Sequence, residues 1–150
     1  MLYLSRVFQT KVMKPFIMAA CILVIMVSCK STQYTPKDYP GHQLIIGTYG
    51  GVTGMMHEYV LLDNGALFLS KGIKGEWKPV RRLKKSETHT LFKTADTLGI
   101  DRIKFKHPGN VTSYLMLKDP SRTYEIQWGA SGIPPPEPIK RFYDHLVSVF

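Results

Sequence analysis

The chain has 150 residues, of which 44% are hydrophobic and 21% charged, and its formal net charge is +9. That length fits one ordinary globular domain, and the composition excludes a disordered chain, a coiled coil and a disulfide-dense scaffold. Only two cysteines occur, Cys21 and Cys29.

Residues 1–28 carry Arg6, Lys11 and Lys14 and no acidic residue. Behind them Phe16 to Val27 is almost unbroken apolar sequence. The run is short of the roughly 20 apolar residues a transmembrane helix needs. It fits the apolar region of a secretory signal, about 7–15 residues behind a positive start. A buried core helix would show a polar face, and this run has none. Met13-Lys14-Pro15 makes a more ordinary signal start than Met1, so both methionines are candidate initiation sites.

The run ends at Met26-Val27-Ser28-Cys29. This arrangement resembles the lipobox of bacterial lipoproteins: an apolar residue, a small residue, then cysteine. The resemblance implies cleavage after Ser28 and acylation of Cys29, with no other thiol left in the mature chain. Each buried acyl CH₂ contributes about 0.8 kcal/mol, so several chains anchor stably. Lys30-Ser31-Thr32-Gln33 lacks the acidic residues that direct some lipoproteins to the outer cell surface. The expected location is the cell envelope, on the periplasmic face of the outer membrane.

Residues 29–41 are polar and hold Pro36 and Pro40, and they read as a lipidated tether. The domain is expected over residues 42–150. Gln43–Tyr49 and Met55–Leu62 read as strands joined by Gly50-Gly51-Val52-Thr53-Gly54. Asp63-Asn64-Gly65 predicts a type I′ hairpin turn into Ala66–Ser70. Glu76–Arg82 reads as an edge strand, because Pro79 removes a ladder donor.

Ser86 is the expected cap of a helix whose stripe is Thr88, Leu91, Phe92, Ala95 and Leu98, ended by Gly99. Asn110–Lys118 and Arg122–Trp128 form a second hairpin pair. Pro136-Glu137-Pro138 opens the last helix, with Ile139, Phe142, Tyr143, Leu146 and Phe150 as its stripe. The expected fold is α+β: an antiparallel sheet with two helices on one face, in the order ββββ-α-ββ-α.

No catalytic constellation is visible. The histidines 42, 57, 89, 107 and 145 lack metal-ligand spacing, and no Gly-x-Ser-x-Gly elbow occurs. No catalytic residue, metal ligand or small-molecule cofactor is assigned, and an enzyme, such as an uncharacterised hydrolase, ranks third among the readings. The Gly50–Gly54 segment lacks the Gly-Lys-Thr end of a phosphate loop and precedes a strand. Its plain role is a turn that needs positive φ. Its functional role is a contact loop, with Tyr49 and Met55 as an apolar rim.

Lys78, Arg81, Arg82, Lys84 and Lys85 form a basic surface. Nucleic acid is excluded as a partner by the expected compartment. The charge either protects an edge strand from aggregation or meets anionic headgroups or polysaccharide.

The domain also resembles emfourin-type proteins, small inhibitors of thermolysin-like metalloproteases. The shared features are the Gly50, Gly51 and Gly54 hairpin, a Leu-containing helix, a hairpin with Tyr114 and Ile126, and a proline-led final helix. They span residues 44–149; two additional strands and the basic stretch depart from the pattern. The resemblance implies a non-enzymatic, protease-inhibitor-like domain that binds another envelope protein, and it transfers only the hairpin glycines.

Overall fold

The computed structural model describes residues 34–72 and 75–150. The expected signal sequence, with Ser28 and Cys29, and the expected tether up to Gln33 lie outside the described residues. Tyr34 to Phe150 form one compact unit.

Seven strands make one sheet: β1 (Gln43–Gly50), β2 (Met55–Leu62), β3 (Ala66–Lys71), β4 (Lys78–Arg82), β5 (Lys106–His107), β6 (Val111–Lys118) and β7 (Thr123–Trp128). Among the described residues two α-helices accompany it, α1 (Lys85–Thr97) and α2 (Glu137–Val149). The spatial order is β4-β3-β2-β1-β6-β7-β5. The expected α+β class is observed, but the sheet is mixed and not purely antiparallel. β5 pairs in parallel with β7, through Lys106 with Gln127 and His107 with Trp128. The reason is the crossover: the chain leaves β4 at one edge, passes through α1, and returns at the far edge alongside β7.

Alternation along the strands divides the side chains between two faces. Leu44, Ile46, Leu61, Leu67, Leu115 and Ile126 lie in one cluster with Leu91 and Ala95 of α1 and Ile139, Phe142 and Leu146 of α2. Both helices therefore cover the same face. Ile45, Val60, Leu62, Phe68 and Tyr114 form a smaller cluster on the opposite face.

Part of that second cluster is covered by the segment read as a tether. Pro36 is buried, and Tyr39 packs on the cluster. The Gln43 amide donates to the Pro36 carbonyl at 3.0 Å. The Tyr39 hydroxyl donates to Asp63, and the His42 N–H donates to Asp63 at 2.9 Å. Burial, then the Asp63 hydrogen bond, pushes the Tyr39 phenol up to about 12. Residues 34–41 are thus docked against the start of β1.

Two local expectations are corrected. The turn into β3 is a three-residue loop and not a type I′ turn. Gly65 has φ +90°, no non-glycine residue among those described has positive φ, and the Gly65 N–H closes on Leu62. Asn64 instead uses its side chain, accepting from the Ala66 N–H at 3.0 Å. Ser86 does not cap α1. The cap position is Lys84, without a side-chain bond, because the Leu83 N–H is tied to the Gly65 carbonyl and fixes the helix start one residue later. Inside α1, Thr88, Thr90, Thr94 and Thr97 each donate to the carbonyl four residues back. Such bonds do not favour a helix, so α1 is held chiefly by burial of Leu91 and Ala95.

Candidate functional site

β1 and β2 pair over their whole length, ending at Gly50 opposite Met55. The four residues between, 51–54, protrude as the tip. Gly50, Gly51 and Gly54 have φ of +108°, +74° and +59°, a region that a side chain strains. A Cβ at Gly50 would also strike the Asn110 carbonyl. The Gly51 N–H donates to that carbonyl at 2.8 Å, so the hairpin is fastened to the β6 side of the sheet.

The tip is apolar. Val52 is fully exposed, and Tyr49 and Met55 beside it are exposed too. Val111, opposite Gly50 on β6, adds a fourth exposed apolar side chain. Thr53 is also exposed. All the residues singled out in the sequence at this loop are therefore together; Val111 was not among them. Nothing local marks Val111, since its place beside the tip depends on the β1–β6 register.

Behind the tip a polar bond ties three strands. Tyr114 of β6 donates to Glu58 of β2 at 2.5 Å, passing over Gly47 of β1. A Cβ at Gly47 would meet the Tyr114 ring and hydroxyl and the His57 carbonyl. The Tyr49 ring lies 5.8 Å from the Tyr114 ring, joining the tip to this bond. Burial raises the Glu58 carboxyl above its ordinary range, and the Tyr114 hydrogen bond opposes that shift. Burial, then the Glu58 bond, raises the Tyr114 phenol. On the helix side, the Tyr143 hydroxyl donates to the Gly47 carbonyl at 3.2 Å.

The basic residues behave differently from one another. All five residues of β4 are exposed, and β4 is an edge strand as expected. Arg81 donates to the Val149 carbonyl at the C-terminal end of α2, where a cation is favoured. Arg82 donates to the Asn64 carbonyl at 2.7 Å. Lys78, Lys84 and Lys85 are exposed and form no salt bridge among the described residues. Along β4, Lys78 pairs with Leu69 part-way along β3, and Arg82 pairs with Ala66 at its start.

At the other sheet edge, Asp101, Ile103, Lys104, Lys106, His107 and Thr123 to Glu125 line an open cleft of about 790 Å³. Lys106 bridges Glu125 across it at 2.8 Å. Among the described residues no three His, Cys, Asp or Glu side chains gather as metal ligands. No helix among them is long and apolar enough to cross a membrane. Comparison of the chain with protein-family models and with curated proteins finds no match.

Proposed function

We propose that this chain is a lipid-anchored envelope protein whose domain binds another protein through the Gly50–Gly54 tip. The observation that carries the reading is the set of four exposed apolar side chains, Tyr49, Val52, Met55 and Val111, around a glycine turn. The turn is fastened to neighbouring strands, so little ordering remains to be done on binding. Exposed, rigidly mounted loop tips are where recognition residues concentrate. The resemblance to emfourin-type inhibitors supports the same surface and gives a first partner class, a thermolysin-like metalloprotease. The experiment is capture of partners from solubilised envelope with wild-type protein and Val52→Asp. A stoichiometric protein lost only in the variant supports the reading; equal capture by both overturns it.

A second reading is a structural envelope lipoprotein that meets lipid or polysaccharide through the basic strand. The full exposure of β4 favours it. Binding of purified envelope polysaccharide that Lys78→Glu and Lys84→Glu abolish, while Val52→Asp leaves it intact, would put this reading first.

A further inference from the structure

We propose that the cleft beside β5 and β7 binds an acidic oligosaccharide, with Lys104 and Lys106 on its carboxylates. The site stands at the opposite border of the sheet from β4, and it does not depend on the tip reading.

The cleft exists because β5 covers only part of β7. Lys106 and His107 pair with Gln127 and Trp128, and the Phe105 carbonyl accepts from the Gln127 N–H at 2.9 Å. Ahead of those bonds the chain is held elsewhere, since Ile100 is fully buried and anchors a short 3-10 turn, Ile100–Arg102. Residues 101–104 therefore stand off Thr123–Glu125, and the gap of about 790 Å³ lies between them. That size falls within the range of ligand clefts, about 300–1,000 Å³.

Ile103 and Tyr124 are half-buried against the larger cluster and give the cleft its apolar part. The charges around them are not equally free. Glu125 has both oxygens engaged, by Lys106 Nζ at 2.8 Å and by Gln127 Nε2 at 2.7 Å. Its charge is answered within the protein. Lys104 is exposed and forms no salt bridge among the described residues. The Lys106 ammonium has three N–H groups, and its bond to Glu125 uses one. Cationic donors are thus to spare. A carboxylate suits them, because charge-assisted hydrogen bonds are roughly twice as strong as neutral ones. Asp101, which meets only Arg102 at 3.7 Å, and the exposed Thr123 remain to accept from hydroxyl groups.

The openness of the cleft selects a chain over a single small molecule. A small ligand is held by walls that bury most of its surface. This cleft lies open along a sheet border, so its occupant gains contacts by extending through it. A peptide chain would seek a ladder of amides, and β7 leaves only four residues unpaired by β5. A sugar chain needs no ladder and is held by side chains on its hydroxyl and carboxylate groups.

The test titrates full-length protein in detergent with tetragalacturonate, read by calorimetry. Maltotetraose is the neutral control and tetraglutamate the acidic peptide control. Tetragalacturonate should bind saturably, and both controls several-fold more weakly. Lys104→Glu should weaken binding several-fold at an unchanged melting temperature, whereas Lys78→Glu, on β4, should keep wild-type affinity. Absence of saturable binding by folded wild-type protein overturns the proposal. Equal binding of maltotetraose overturns the role of the lysines, and equal binding of tetraglutamate overturns the saccharide class. Full affinity in Lys104→Glu overturns the cleft as the site. Equal losses in Lys104→Glu and Lys78→Glu show diffuse attraction to a basic protein and overturn it too.

Discussion

Tyr114 reaches the Glu58 carboxylate, at 2.5 Å, by lying over Gly47 on the strand between them. The missing side chain at Gly47 is thus what allows β2, β1 and β6 to be tied together on the face opposite the helices. A methyl group at position 47 would also approach the His57 carbonyl to 2.6 Å. Gly47→Ala should cost about 1–3 kcal/mol, the usual range for overpacking, as read by denaturant unfolding. A loss below about 0.5 kcal/mol would show that Tyr114 swings aside freely.

The same carboxylate gives the domain a pH signature. Burial raises the folded value of Glu58 above its ordinary 4.5, so the native protein holds that proton more tightly than the unfolded chain. Its contribution to stability is full below 4.5 and is lost as pH rises through the folded value. Glu58→Gln keeps an acceptor for Tyr114 and removes the titration. Melting curves between about pH 4 and about pH 8 should show the variant gaining on wild type as pH rises. Parallel curves would place Glu58 in a more solvated setting.

Helix packing is tested at Leu91 and Phe142, both buried in the larger cluster. Either residue changed to alanine should cost about 2–5 kcal/mol in unfolding free energy. Leu91 is the more telling, because the threonine bonds of α1 leave that helix dependent on its buried stripe.

Val52→Asp should leave stability within about 0.5 kcal/mol of wild type, because Val52 is fully exposed. The same change should abolish partner capture, or protease inhibition if the partner is a thermolysin-like enzyme. It is a cleaner variant than Gly51→Asp, since Gly51 has φ +74° and a side chain there strains the turn. Melting temperature and capture, measured on one preparation, separate a binding defect from a folding defect.

Cys29→Ser should release the protein from membranes or leave it uncleaved. Metabolic labelling with an acyl analogue reads this directly. Label retained by the variant would place the modification elsewhere.

The hairpins were legible because turn residues act locally. Gly50–Gly54 and Asn64-Gly65 each punctuate two apolar runs, and β2 spans Met55–Leu62 as expected. The turn at Asn64 departs from the type I′ reading because Gly65 alone takes positive φ and its N–H closes on Leu62, while Asn64 uses its side chain. The Leu83–Gly65 bond, made between residues far apart in the chain, stands just before the start of α1, which the Ser86 pattern misplaced. β5 was hidden because two residues give no period, and its parallel pairing is set by how α1 crosses the sheet. At the tip the glycines and their neighbours were readable, whereas Val111 entered only through the register of β6.

The two borders of the sheet limit how anything can attach to it. β4 carries Pro79 and a register shift opposite Leu67 and Phe68, while β5 offers only two residues of ladder. Neither border is a continuous row of free amides and carbonyls, so another chain has little on which to build an eighth strand. Recognition by strand addition, a common route for β-rich modules, is disfavoured here. What the architecture leaves open is recognition by side chains, together with a resistance to runaway sheet growth.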